Sequence, residues 1–194
     1  MEYSRRIAQQ LLPALLLLQT MSCFRLGVSA RLLGEANTTD LITSTCRHTD
    51  YFDICMSTLQ SNPDSRNADV KGLALISLEV CIAHAEGTIS YMRQLRGNAS
   101  TTGRADGDKY ETQCLDDCAT EYDDALDDLR KSVGKQQSGD YDSVNAMVSG
   151  AMTDSDTCEG GFGERPGYTS PLTERNDYFA KLCSNSLAIT GLLS

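Results

Sequence analysis

Cysteines, two histidines and paired aspartates are the residues with which this chain of 194 could do chemistry. Neither His48 nor His84 has a Ser, Cys or Asp at a spacing that implies a nucleophile and its base. Cys114 and Cys118 are one helical turn apart, like half of a metal site, but a second pair of ligands is missing, so no zinc is expected. The pairs Asp116–Asp117, Asp123–Asp124 and Asp127–Asp128 sit in no loop with alternating oxygen ligands and a closing Glu, which argues against calcium. Gly160 to Gly167 precede no strand-to-helix phosphate motif. No catalysis, metal or cofactor is expected. What remains is disulfide chemistry and charge.

The N-terminus sets the redox compartment. Arg5 and Arg6, an apolar run from Leu11 to Leu18 and the small-residue site Val28-Ser29-Ala30 read as a secretory signal peptide over residues 1–30. The run is well short of the ~20 residues a membrane span needs. No second hydrophobic segment, retention signal or lipid anchor is evident, so a soluble extracellular protein is expected. Cleavage after Ala30 leaves residues 31–194, with 14 basic and 26 acidic residues and a net charge of −12. That charge argues against nucleic acid and against an anionic membrane surface. Asn37-Thr38-Thr39 and Asn98-Ala99-Ser100 are glycosylation sequons in polar stretches. Cys23 leaves with the signal, and seven cysteines remain for an oxidising compartment.

Helices must position those seven. Leu115, Cys118, Tyr122, Ala125, Leu129 and Val133 form one apolar stripe with the aspartates between them, predicting an amphipathic helix of about five turns. Gly134, Ser138, Gly139 and Asp140 should end it. A second helix carries Val144, Met147, Val148, Ala151 and Met152 on one face. So short a connection favours antiparallel packing. Cys118, near the start of the first helix, then meets Cys158, just past the end of the second, and a disulfide can fasten the open end of the hairpin.

The flanking segments complete a bundle. Ala74, Leu78, Cys81, Ala85, Thr88, Met92 and Leu95 form a seam on a helix from about Asn67 to about Leu95, widened by Leu73, Ile76 and Val80. Gly97 to Asp108 reads as an interhelical loop, and Gly160 to Pro171 as an irregular crossing. Thr173 to Leu193 is the last helix, with Tyr178, Leu182, Ile189 and Leu192 on its buried face. Before the turn Asn62-Pro63-Asp64-Ser65, a small helical hairpin over residues 38–64 is expected, pinned at its neck by Cys46 and Cys55. Its caps would be Asp40 or Thr39, then Thr49 or Asp50. The fold class is all-α: an up-down-up-down four-helix bundle over residues 65–194 with an N-terminal helical hairpin. In such a bundle the first and last helices are neighbours. Counting residues puts Cys81 and Cys183 within ~6 Å of one level, and Cys114 ~12 Å below Cys81. Cys81 and Cys183 are therefore the candidates for a third disulfide with Cys114 left free; the alternative is that all three are reduced, small core residues.

The chain resembles the plant inhibitors of invertase and of pectin methylesterase, near the branch that includes plane-tree pollen allergens. The resemblance covers about residues 38 to 194. It is carried by Leu41-Ile42 through Thr45-Cys46, Thr49 and Cys55; by Ala68-Asp69 with Gly72-Leu73-Ala74; and by Cys118, Tyr122, Asp124-Ala125 and Leu129. Ser149-Gly150-Ala151-Met152 and Thr157 to Phe162 complete it. It implies the pairs Cys46–Cys55 and Cys118–Cys158, as the hairpins do. It also implies a secreted inhibitor, at the cell wall or in the apoplast, that binds one carbohydrate-active enzyme one-to-one across its substrate cleft. Cys81 and Cys114 stand where many members have small apolar residues. The Pro-Lys-Phe element of many invertase inhibitors should follow Asp140, where this chain has Tyr141-Asp142-Ser143. Pectin methylesterase is therefore the favoured target, invertase the alternative, and an extracellular allergen-type binding protein without an enzyme target a third reading. The expected docking surface is the outer face from Asp116 and Asp117 through Asp123 and Asp124 to Asp128, with the turn carrying Asp140, Tyr141 and Asp142. Its acidity would complement a basic enzyme.

Overall fold

Apolar residues at steps of three and four bury themselves most readily on helices. The computed structural model describes residues 40–102 and 107–194, with backbone alone for 98–102 and 107–108. Helix α1 covers residues 40–46 and α2 Phe52–Ser61, followed by a 3-10 turn at Pro63–Asn67. Four long helices come next: α3 Val70–Thr102, α4 Gly107–Ser138, α5 Tyr141–Gly163 and α6 Thr173–Gly191. The described residues contain no strand. The signal-peptide segment and Asn37 lie outside them, as does the side chain of Asn98.

The long helices pack in a ring: α3 on α4, α4 on α5, α5 on α6 and α6 on α3. Cross-helix pairs give the directions. Glu86 and Arg96 of α3 meet Arg130 and Asp116 of α4. Cys118 of α4 is bonded to Cys158 of α5, and Tyr110 to the carbonyl of Gly161. Ser77 and His84 of α3 meet Ser186 and Phe179 of α6. In each case residue numbers rise on one helix as they fall on the other, the order of an up-down-up-down bundle.

The expected seams face the core. Ala74, Leu78, Cys81, Ala85, Thr88 and Met92 of α3 are buried, as are Leu115, Cys118, Tyr122, Ala125 and Leu129 of α4. A second apolar cluster lies under the hairpin, where Ile42, Cys46, Cys55 and Leu59 cover Leu73, Ala74, Ile76 and Ile189. The Cys46–Cys55 disulfide, with Cα atoms 5.6 Å apart, joins α1 to α2. The hairpin is also clamped to the bundle. The backbone N–H of Tyr51 donates to Asn185 Oδ1 at 3.2 Å, and Asn185 Nδ2 donates to the Tyr51 carbonyl at 3.0 Å.

Several helix boundaries differ from expectation, each for a local reason. Helix α3 starts at Val70, not Asn67, because Pro63–Asn67 is a 3-10 turn and Asp69 caps the helix by accepting from the Gly72 N–H at 2.8 Å. A Cβ at Gly72 would lie 2.9 Å from the Ala68 Cβ, so the entering chain requires glycine there. At the other end the expected Gly97–Asp108 loop is narrower, since α3 continues to Thr102 and α4 begins at Gly107. Gly134 does not interrupt α4, which runs to Ser138. There Gly139 takes φ +80°, Asp140 N–H bonds to the Lys135 carbonyl and Gly139 N–H to that of Gln136. These two bonds are a Schellman ending. Helix α5 passes Cys158 and ends at Gly163, because Phe162 is buried and the Tyr110 hydroxyl holds the Gly161 carbonyl. No side chain caps α2: Tyr51 is its N-cap residue, and the Thr49 hydroxyl instead turns back to the Cys46 carbonyl. Helix α6 ends at Gly191, leaving Leu192 exposed and Tyr178 only half-buried, while Phe179 and Cys183 fill the core.

Residues 70–97 are, by length and composition, apolar enough to cross a membrane, so a second hydrophobic segment does exist. Half of the most apolar 18-residue window in it is buried inside the bundle, in keeping with a core helix.

Candidate functional site

The outer face of α4 and α5 carries most of the expected docking residues. The Cys118–Cys158 disulfide, with Cα atoms 4.6 Å apart, ties the two helices together. Beside it, fully buried Tyr122 donates its hydroxyl to Asn176 Oδ1 at 2.8 Å. Asn176 Nδ2 donates to Glu159 Oε2 at 2.7 Å, and Glu159 Oε1 accepts from the Thr173 hydroxyl. Burial pushes the Tyr122 phenol well above its ordinary value, so it stays a donor. The network fixes α4, α5 and α6 at one level.

Two kinds of acidic residue stand on the face. Asp117 and Asp123 of α4 and Asp142 of α5 are exposed and make no ion pair among the described residues. Asp124 is likewise exposed and outside any ion pair among the described residues, whereas Asp116, Asp127, Asp128 and Asp140 are engaged. Asp116 pairs with Arg96 at 2.6 Å, and Lys131 pairs with Asp127 and, at 3.9 Å, with Asp128. These are surface pairs, each worth ~0–1 kcal/mol, and a partner can compete for them. Asp140 has structural work: it caps α5 by accepting from the Ser143 backbone N–H at 3.4 Å, and it also accepts from the Ser143 hydroxyl at 2.8 Å and from Lys135 Nζ at 2.9 Å. The Lys135 bond, then the Ser143 bond, hold its carboxyl below the usual range. Tyr141 is half-buried.

Sequence reasoning missed the centre of this face. Asp128 leans over Gly150, where an added Cβ would lie 3.3 Å from its Oδ2. Close by, burial and the charges of Glu121, Asp124 and Asp128 raise the Asp154 carboxyl to about 6. Four carboxylates thus share the α4–α5 groove. The Cys118–Cys158 pairing already sets the antiparallel register that brings Asp154 opposite α4, so the signal was present in the spacing.

The other candidate groups are structural. His84 Nε2 lies 3.0 Å from the Arg175 carbonyl oxygen, and its ring stacks on Phe179 at 5.9 Å. Burial lowers its pKa. His48 is exposed at the hairpin neck. Cys114 is a buried thiol 3.7 Å from the Gly161 carbonyl oxygen, and Cys81 and Cys183 are buried thiols on α3 and α6. Among the described residues no group of three or more His, Cys, Asp or Glu side chains is arranged to hold a metal ion.

Comparison with known proteins matches residues 40–189 to the family model "Plant invertase/pectin methylesterase inhibitor". Pectinesterase inhibitor 28 of Oryza sativa subsp. japonica is 37% identical over 160 residues, covering 79% of this chain and 69% of that protein. The cell wall / vacuolar inhibitor of fructosidase 2 of Arabidopsis thaliana is 32% identical over 169 residues, covering 86% and 89%. A crystal structure of a mutant form of a pectin methylesterase inhibitor from Arabidopsis superposes with a TM-score of 0.63 at 22% identity, over 79% of this chain and 97% of that one.

Proposed function

The chain belongs to the plant invertase/pectin methylesterase inhibitor family, and we propose that it blocks a cell-wall pectin methylesterase by covering the substrate cleft one-to-one. Members of the family are enzyme inhibitors and not enzymes, and this chain is of their kind. The observation that carries the choice of surface is the α4–α5 face. It is held by a disulfide and a buried hydrogen-bond network, and it presents Asp117, Asp123 and Asp142 beside the groove of Glu121, Asp124, Asp128 and Asp154. A rigid acidic surface suits a basic enzyme, because complementary charge speeds encounter and rigidity limits the entropy lost on docking. Asp140 is assigned to the cap of α5 and not to direct contact.

Pectin methylesterase is preferred to invertase because Tyr141-Asp142-Ser143 replaces the Pro-Lys-Phe element of many invertase inhibitors. Similarity to the Arabidopsis inhibitor of fructosidase keeps invertase as the second reading. The signal-peptide pattern of residues 1–30 supports secretion to the apoplast, and Asn37 and Asn98 are the proposed glycosylation sites. Titrating the mature protein into a pectin methylesterase and an invertase from one plant tests the proposal. Pectin methylesterase activity should fall linearly to a plateau at one equivalent. The reverse order of potency would select invertase, and no loss of either activity would leave the allergen-type reading.

A further inference from the structure

The seam between α3 and α6 sets two further cysteines face to face. Ser77, one turn before Cys81, donates its hydroxyl to Ser186 Oγ at 2.9 Å. About one turn after Cys81, the His84 ring stacks on Phe179 with centroids 5.9 Å apart. Two turns further the Arg175 guanidinium lies 4.4 Å over the Tyr91 ring. These contacts fix an antiparallel register, and Cys81 and Cys183 fall opposite each other between the first two. Both residues are fully buried. A disulfide needs Cα atoms within ~7 Å and facing Cβ vectors. The serine pair one turn away already brings its Oγ atoms to 2.9 Å, and Oγ and Sγ occupy the same place on their side chains.

We propose that Cys81 and Cys183 close a third disulfide in the secreted protein, joining α3 to α6 and leaving Cys114 as its one thiol. The oxidant is a small-molecule disulfide or a disulfide oxidoreductase of the secretory compartment. One cysteine thiolate attacks that disulfide, forming a mixed disulfide and expelling a thiolate. The second cysteine attacks the mixed disulfide and expels the other thiolate. Two cysteine thiols are oxidised, one external disulfide is reduced to two thiols, and the two protons pass to the leaving thiolates. Neither sulfur is exposed after folding, so exchange occurs before α6 docks on α3. Once closed, the bond is shielded from reductants by the same burial. Cys114 has no such partner: the cysteine one turn away, Cys118, is already bonded to Cys158. This inference does not rest on the inhibitor reading.

The test uses the full chain secreted from eukaryotic cells. Thiols are alkylated after unfolding without reductant, and the peptides are mapped by mass spectrometry. One alkylated cysteine, Cys114, and a linked peptide pair holding Cys81 and Cys183 are expected. Three alkylated cysteines, or a bond from Cys114 to either, overturn the proposal. In addition, secreted Cys183→Ser should melt about 10 °C below the secreted wild type, the scale expected for losing a long-loop crosslink. An unchanged melting temperature also counts against the bond. If that variant is not secreted, Cys81→Ala supplies the same comparison, and the wild-type thiol count decides by itself.

Discussion

Tyr122 buries its ring against Phe179 and hands its single proton to Asn176, which in turn is bonded to Glu159. Tyr122→Phe keeps the ring and removes the proton donor. The Asn176 oxygen is then buried without a partner, and the expected cost is ~1–3 kcal/mol in urea unfolding. A change below ~0.5 kcal/mol would mean that the network can be rearranged at little cost. Asp154 makes the opposite case, a side chain whose charge the fold opposes. Its carboxyl is raised to about 6, so the folded chain binds its proton more tightly than the unfolded one. That contribution is fully present below the ordinary carboxyl pKa and is lost as pH rises through about 6. Asp154→Asn should therefore raise the melting temperature by about 2 °C near neutrality, a small value because the site is partly solvated. At pH ~3 it should have no effect. A gain at acid pH alone would reverse the assignment.

At the scale of the element, disulfides do what capping and propensity do not. Cys118–Cys158 closes a 40-residue separation across α4 and α5, worth ~4 kcal/mol in the chain-entropy model. Cys118→Ala should lower stability by about that amount in denaturant unfolding and weaken inhibition with it, since α4 and α5 can then splay. Full stability in this variant would show that the hydrogen-bond network alone holds the face. The helix seams were legible in sequence because burial imposes a 3.6-residue period, and the α3 seam reads correctly from Ala74 to Met92. Helix ends were not. Gly134 looked like a stop, yet it faces open space in a helix held on both sides of it. Helix α5 continues past Cys158 because of Phe162 and Tyr110, a contact between residues about fifty apart that no local pattern records. The acidic α4–α5 face proposed for docking was legible as charge. Which aspartates are engaged was not, because Asp140 and Asp116 meet lysine and arginine only after the helices are folded and packed.

At the scale of the whole molecule the chain is strongly acidic. The chain's net charge of −10 and an acidic α4–α5 face predict that long-range attraction sets the association rate with a basic enzyme. The triple change Asp117→Asn, Asp123→Asn, Asp142→Asn should slow association about tenfold at low salt, with much of the difference gone near 1 M, where the Debye length is ~3 Å. Equal rates at low salt would place the contact elsewhere. The most direct measurement is amide hydrogen exchange on the chain, free and bound to the pectin methylesterase it is proposed to inhibit. Docking through the α4–α5 face predicts new protection over residues 116–128 and 139–150, with α1 and α2 unchanged. Protection confined to α1, α2 and the seam between α3 and α6 would contradict it.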